Sequence, residues 1–144
     1  MNNLVVKEVE TPQELSDAQE IRRRVFTEEQ GIEQERDIDG LDQSSDHIIV
    51  YHNDVPVGTA RIRYKNGIQA KLERIAVIKP YRRQGIGKGI VEASLKLAKT
   101  RGALEITLDS QQYAAGFYER LGFQQEGHPF EEVGIPHIAM TKNL

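Results

Sequence analysis

Apolar residues recur along the chain with two different spacings, and these spacings separate strands from helices. Over Ala103–Leu108 they alternate with polar residues, which is typical of a strand with one buried face. Over Pro12–Phe26 they recur every three or four positions, as in a helix that buries one stripe. The predicted strands are Leu4–Val9, His47–Tyr51, Val55–Tyr64, Gln69–Ile78, Ala103–Leu108, Phe123–Glu126 and Ile135–Lys142, and the predicted helices are Pro12–Phe26, Ile86–Arg101 and Tyr113–Leu121.

Local signals indicate how these elements begin and connect. Thr11, Pro12 and Glu14 have the spacing of a capping box with proline in the first turn, which predicts a helix start. Glu28–Asp46 is rich in acidic residues and glutamine and is predicted to be a loop or a short helical turn. The order β-α-β-β-β-α-β-α-β-β contains no linker, so we expect a single domain over residues 1–144. A helix joins the fourth and fifth strands, which predicts that they are parallel.

Composition and charge narrow the classes of function. The 144 residues carry a net charge of −3, so neither a nucleic acid nor a membrane is expected as a partner. The absence of cysteine excludes disulfides, thiolate metal sites and a cysteine nucleophile. The four histidines lack the spacing of metal ligands, so no metal is expected. Met1–Val6 does not resemble a signal peptide and no apolar run is long enough to span a bilayer, so a cytoplasmic protein is expected.

The segment after the fourth predicted strand has the composition of an anion-binding loop. Pro80 ends the strand, and a loop with two arginines and several glycines leads directly into a helix. Free N–H groups at a helix start favour anions, and glycines let a phosphate approach the backbone. Arg82 and Gly89 stand where a Walker A loop needs glycine and serine or threonine, and Ile90 replaces the last glycine of the dinucleotide fingerprint. A turn with solvated arginines is the simpler alternative.

Two motifs then identify a family. Arg82-x-x-Gly85-x-Gly87 resembles the pyrophosphate-binding signature of the GCN5-related N-acetyltransferases (GNAT), which bind acetyl-coenzyme A. The stretch from Phe117 to Phe123, F-Y-x-x-L-G-F, resembles the segment of the same superfamily in which the tyrosine hydroxyl faces the sulfur of coenzyme A. The ends of the chain are similar to the ElaA-type subgroup, in R-x-x-V-F-x-x-E-Q from Arg22 and in G-I-P-H-I-x-M from Gly134.

This resemblance implies a fold, a cofactor and a set of contacts. The implied fold is α/β (α+β), with a mixed, mostly antiparallel sheet, central splayed parallel strands and helices on both faces. The implied cofactor is acetyl-coenzyme A without a metal, and a homodimer is one option for the assembly. The cofactor-binding residues expected from the motifs are Ile75, Ala76, Val77, Arg82, Arg83, Gln84, Gly85, Ile86, Gly87, Lys88, Gln111 and Tyr118, where Gln111 replaces the asparagine of many members.

Acetyl transfer to an amine needs a base, donors for the oxyanion and an acid for the departing thiolate. The resemblance gives Tyr118 the role of acid, and we assign the base to Glu73 and the main-chain donors to Ala76 and Val77. The two-residue period of a strand predicts that Glu73, Ile75 and Val77 share one face. The alternative for Glu73 is a structural ion pair with a nearby arginine such as Arg61, Arg63 or Arg74.

The acceptor is predicted only as an amine. Small amines, amino sugars, peptide N-termini and protein lysines all fit these residues. A module that binds acyl-coenzyme A as a sensor without turnover is the competing function. Nucleic-acid binding through Arg22–Arg24 and Arg82–Arg83 is disfavoured by the acidic charge and the lack of aromatic platforms. The residues that we expect at the acceptor are Arg22, Glu28, Glu29, His47 and His137, and the last four are also rivals of Glu73 for the role of base.

Overall fold

One seven-stranded sheet carries the fold in the computed structural model, which describes residues 3–144. The expectation about a signal peptide concerned Met1–Val6, and the first two of these residues, Met1 and Asn2, lie outside the described residues. None of the helices in residues 3–144 is long and apolar enough to cross a membrane. The strands are β1 (Leu4–Glu8), β2 (Asp46–His52), β3 (Val55–Lys65), β4 (Gln69–Val77), β5 (Glu105–Gln111), β6 (Gln124–Glu132) and β7 (Ile135–Asn143), and the α-helices are α1 (Pro12–Arg22), α2 (Gln34–Asp37), α3 (Ile86–Thr100) and α4 (Ala115–Glu119).

The strand order is β1-β2-β3-β4-β5-β7-β6, and β4 and β5 form the parallel pair at its centre. These two strands pair only where Gln69–Lys71 faces Glu105–Thr107. Beyond that point β4 continues to Val77 and β5 to Gln111 without pairing, so the strands diverge and leave a cleft. The predicted mostly antiparallel sheet with splayed central parallel strands is confirmed.

A β-bulge interrupts β4 beside this cleft. Glu73 pairs with Arg61 and Ala76 pairs with Thr59, so β4 has one more residue than β3 in this interval. Arg74 lies within the bulge with a φ of 57°, in the left-handed region that non-glycine residues rarely occupy. The bulge shifts the faces of the strand, and the prediction that Glu73 and Val77 share a face is therefore wrong.

Helices cover both faces of the sheet, as predicted. α3 packs over β3, where a Cβ on Gly58 would lie 2.9 Å from the Cδ1 of Ile90. Arg22 at the end of α1 contacts the opposite face, because it shares Asp42 with Arg61. The apolar side chains between these layers, such as Ile21 and Ile90, are almost fully buried.

The first helix and the loop after it differ in detail from the sequence prediction. The capping box forms, with the Glu14 N–H donating to the Thr11 hydroxyl at 3.1 Å. The helix does not end near Phe26 but continues as a π-helix over Arg23–Glu29. The predicted loop contains α2 and a short 3₁₀ turn, and β6 extends six residues beyond Glu126.

Candidate functional site

The cleft between the diverging strands β4 and β5 is a cavity of about 1040 Å³. Its walls come from both strands, from the turn after β5, from the π-helical segment and from the β6–β7 hairpin. Eight of the residues predicted from the sequence line it: Glu73, Ile75, Ala76, Val77, Arg82, Gln111, Tyr118 and His137.

The predicted anion loop leads into α3 at one end of this cavity. Gly85 is the N-cap with a φ of 81°, and no side chain caps the first turn. A Cβ added at Gly85 would meet nothing within 4 Å, and one at Gly87 would meet only the ring of Phe117, at 3.7 Å. The backbone N–H groups of the first turn have no side-chain acceptor, and the glycines leave room for a phosphate group to approach them. Arg83, Gln84, Ile86 and Lys88 belong to the same segment but do not line the cavity wall.

Arg82 is held in a defined orientation by two groups. Its Nε–H donates to the carbonyl of Val77 at 2.9 Å. Its two Nη groups donate to the two carboxylate oxygens of Glu29 at 2.6 and 2.7 Å. The hydrogen bonds of Glu29 raise the pKa of Arg82, and those of Arg82 lower the pKa of Glu29. The structure thus joins a predicted cofactor residue to a predicted acceptor residue.

Tyr118 lies on the other side of the cavity, in α4. Its ring packs edge-on against Phe117 and Phe123, with centroid separations of 5.0 and 6.0 Å. Burial raises the pKa of Tyr118 to about 12. The hydroxyl therefore keeps its proton at neutral pH and can act only as a donor of that proton, not as a base.

Glu73 is engaged by arginines, as the alternative prediction proposed. Arg61 Nη2 donates to its Oε1 at 2.8 Å, and Arg63 donates to the same oxygen. Burial raises the pKa of Glu73, but the hydrogen bonds and charges of Arg63 and Arg61 outweigh it and leave the pKa below its ordinary value. The carboxylate is therefore ionised at neutral pH and is a weak proton acceptor.

Arg61 is the centre of a larger ion-pair network beneath the cavity. Its side chain is only 1% exposed. Besides Glu73, its guanidinium binds Asp39 at 2.7 Å and Asp42 at 3.0 Å. Asp42 also binds Arg22 at 2.9 Å. The network fastens the segment before β2 to the central strands on the α1 face of the sheet.

We expect this network to make the free energy of unfolding decrease at acid pH. Hydrogen bonds from Arg61 lower the pKa of Asp39. Despite burial, hydrogen bonds from Gln19, Arg22 and Arg61 lower the pKa of Asp42, and Arg63 and Arg61 lower that of Glu73. A carboxyl with a lower pKa in the folded chain stabilises it above the ordinary pKa, and this contribution disappears as the pH falls through the folded-state pKa. The lowered pKa of the buried His47 should make the urea midpoint begin to fall below about pH 6.5, and the carboxylates should add a steeper fall below about pH 4. Urea unfolding at a series of pH values measures this, and a midpoint that is constant or rises in acid contradicts it.

His137 lies on β7 and its side chain is 10% exposed. Its backbone pairs with Gln111 of β5, and both residues line the cavity. Nδ1 lies 2.7 Å from the carbonyl oxygen of Ile135, and the ring stacks on Phe130 with a centroid separation of 5.9 Å. Nε2 is 3.9 Å from a carboxylate oxygen of Glu132.

The other residues predicted at the acceptor lie away from the cavity wall. Arg22 is buried and binds Asp37 and Asp42. His47 is buried too, its Nε2–H donates to the carbonyl of Asp42 at 2.9 Å, and desolvation lowers its pKa. Glu28 pairs with Arg23 and borders, with Glu29, a smaller cleft of about 260 Å³.

Sequence reasoning missed charged residues that line the cavity. Lys71 and Asp109 form an ion pair across β4 and β5 with a separation of 3.2 Å. Arg74 binds Asp37 at 3.0 Å, and both line the cavity. Lys71 and Asp109 alternate with apolar residues in predicted strands, but the pairing of β4 with β5 was needed to bring them together. Arg74 and Asp37 are brought together by the packing of α2 beside β4.

Comparisons with known proteins agree with this architecture. The family model described as "Acetyltransferase (GNAT) domain" matches residues 7–144. The uncharacterized N-acetyltransferase YjcF of Bacillus subtilis (strain 168) is 40% identical over 132 residues, which are 91% of this chain and 94% of YjcF. The crystal structure of Escherichia coli ElaA has a TM-score of 0.84 at 25% identity, with 99% of each chain covered. That of an acyl-CoA N-acyltransferase from Pseudomonas aeruginosa has a TM-score of 0.83 at 26% identity, again over 99% of each chain.

Proposed function

Because the chain belongs to the acetyltransferase (GNAT) family, as its loop and tyrosine motifs predicted, we propose that it transfers the acetyl group of acetyl-coenzyme A directly to a primary amine. Membership of this family indicates that the chain is an acyltransferase, and the members of the family act on amine acceptors. The observation that carries the finer proposal is one cavity lined by Arg82, which precedes the uncapped start of α3, and by the half-buried Tyr118. No three histidine, cysteine or acidic side chains in residues 3–144 are grouped to hold a metal ion.

The residues present fit coenzyme A. In this proposal Arg82 and the N–H groups after Gly85 hold the pyrophosphate. Arg83 and Lys88 add positive charge to the same segment. The bound cofactor supplies a thioester whose thiol is the leaving group.

In this proposal different groups of the cavity carry out different steps of the acetyl transfer. Tyr118 donates its proton to the leaving sulfur, because its raised pKa keeps it protonated. Main-chain groups of β4 near Ala76 donate to the carbonyl oxygen, since this part of β4 has no partner on the β5 side. Glu73 is the predicted base, and that role stays a prediction because arginines bind its carboxylate.

Isothermal calorimetry with acetyl-coenzyme A tests the cofactor site. The parent protein is expected to bind, and an Arg82→Ala/Gly85→Asp double variant is expected to bind at least about 100-fold more weakly. The variant loses charge-assisted hydrogen bonds worth roughly 1.5–3 kcal/mol each and gains a carboxylate at the helix start. The aspartate introduced at position 85 would also occupy a left-handed backbone conformation, so circular dichroism must show that the variant is folded.

Arg101→Ala is the matched control, because Arg101 lies at the opposite end of α3. Its affinity should equal that of the parent. Absence of binding by the parent would overturn the cofactor assignment. Binding without release of free thiol in the presence of an amine panel would instead favour the non-catalytic acyl-coenzyme A sensor.

A further inference from the structure

A group that takes a proton from an amine needs a free lone pair and no bound cation that lowers its basicity. Three of the carboxylates that line the cavity do not meet this condition. Asp37 binds Arg22 at 3.1 Å and Arg74 at 3.0 Å. Glu73 binds Arg61 and Arg63, and Asp109 binds Lys71 at 3.2 Å.

His137 does meet the condition. A carbonyl oxygen can only accept a hydrogen bond, so the contact of Nδ1 with Ile135 requires the proton to sit on Nδ1. The neutral ring then has its free lone pair on Nε2. The stacking on Phe130 and the hydrogen bond together fix the plane of the ring.

The strand register places His137 on the same face of the sheet as Glu73. The Lys71–Asp109 ion pair shows that these two residues share a face. Glu73 lies two residues after Lys71, before the bulge, and Gln111 lies two residues after Asp109. Because Gln111 pairs with His137, the imidazole borders the half of the cleft on the α1 face of the sheet.

We propose that Nε2 of His137, rather than Glu73, accepts the proton of the attacking amine. The proposal rests on the acetyl transfer proposed above and identifies its base. The substrate ammonium gives one proton to Nε2, and its freed lone pair forms the C–N bond. The C–S bond breaks with its electron pair on sulfur, and Tyr118 protonates the sulfur. The surplus proton on the new amide nitrogen returns to the Tyr118 oxygen through solvent.

Glu132 gives the imidazolium a route back to its neutral form. Its carboxylate lies 3.9 Å from Nε2 and its side chain is 56% exposed, so it faces both the ring and solvent. The charged group stabilises the protonated ring, and solvent takes the proton in the next step. The other titratable side chains that line the cavity beside His137 are Asp109 on β5 and Tyr113 in the turn after it. The same strands also carry titratable side chains outside the cavity wall: Glu105 on β5, Glu126, His128 and Glu131 on β6, and Lys142 on β7.

The test compares two probe amines at several pH values, 2-phenylethylamine and its less basic analogue 2,2-difluoro-2-phenylethylamine. An aromatic probe suits a cavity with Phe26, Ile32 and Ile135 in its wall. His137→Gln should lower kcat/KM for 2-phenylethylamine about 100-fold near neutral pH and move the limb of the profile that rises with pH up to the pKa of the amine itself. The loss in kcat/KM should be much smaller for the fluorinated amine, because a larger fraction of it is the neutral amine, which needs no base. Glu73→Gln should keep the rising limb.

His128→Gln is the matched control, since His128 is an exposed histidine of β6 outside the cavity. A His137→Gln variant with the parent profile for both amines overturns the proposal. Nitrogen-15 NMR of the ring gives a second decision that needs no acceptor. It should show the proton on Nδ1 at neutral pH, and a proton on Nε2 instead overturns the proposal. Failure of acetyl-coenzyme A to bind the parent in calorimetry would overturn the proposed function itself.

Discussion

Tyr118→Phe should lower kcat for acetyl transfer about 100-fold and change the KM for acetyl-coenzyme A by less than about twofold. The variant keeps the ring, which packs between Phe117 and Phe123, and removes only the hydroxyl. Because burial raises the pKa of Tyr118 to about 12, the parent has its proton available throughout the neutral range. Initial rates of thiol release with 2-phenylethylamine as acceptor measure the effect.

Tyr113→Phe is the control for this variant. Tyr113 lines the same cavity, but it is 83% exposed and has no role in the proposed transfer. Its kcat should match that of the parent. If Tyr118→Phe also kept the parent kcat, the thiolate would leave without a protein acid, and Tyr118 would be a packing residue only.

Arg61→Met should lower the free energy of unfolding by about 3–5 kcal/mol. Arg61 is 1% exposed, and its guanidinium is shared by Asp39, Asp42 and Glu73. Methionine fills a similar volume but leaves these three carboxylates without their common cation. Repulsion among the three and their burial then destabilise the fold. Urea unfolding at pH 7 gives the difference.

Arg101→Met separates this effect from the loss of any arginine. Arg101 binds Glu8 and Asp46 at 44% side-chain exposure, and solvent screens such pairs. Its urea midpoint should stay close to that of the parent. Equal losses for the two variants would mean that the network around Arg61 contributes no more than a surface pair.

The sequence predicted the central part of the fold well because several local signals coincide there. Pro80 ends a β-branched strand, the glycines open a helix start, and Gly102 ends that helix. Each signal acts through the backbone of a few neighbouring residues, so no tertiary information was needed. The parallel pairing of β4 with β5 followed from the length of the connection between them.

The bulge at Arg74 could not be predicted from the same patterns. A strand with a regular two-residue period keeps Glu73 and Val77 on one face, and the three apolar residues that follow the adjacent charges of Glu73 and Arg74 do not show which face each of them occupies. The break in this period comes from the register with β3, where one extra residue is accommodated by a left-handed Arg74. The network that holds Arg74, from Asp37 and Asp39, is 35 or more residues away in the chain.

The acceptor residues were harder to predict than the cofactor residues for a related reason. Arg22 and His47 have the chemistry of binding groups, but tertiary packing buries both among partners from other segments. His137 lies in a motif of the ElaA-type subgroup, but its free lone pair is evident only from the carbonyl that accepts from the other nitrogen. Site geometry of this kind depends on strand register rather than on composition.

The pair between Arg82 and Glu29 means that the proposed pyrophosphate site already contains a bound anion, the carboxylate of Glu29. Each Nη of Arg82 already donates to a carboxylate oxygen of Glu29, so a pyrophosphate that binds the guanidinium in the same bidentate way, as proposed, would displace this carboxylate. The affinity that a titration reports is then the difference between two anions. Displacement of Glu29 would also free the last residue of the π-helical segment. This segment contributes to the cavity wall, which would therefore be held less firmly once the cofactor is bound.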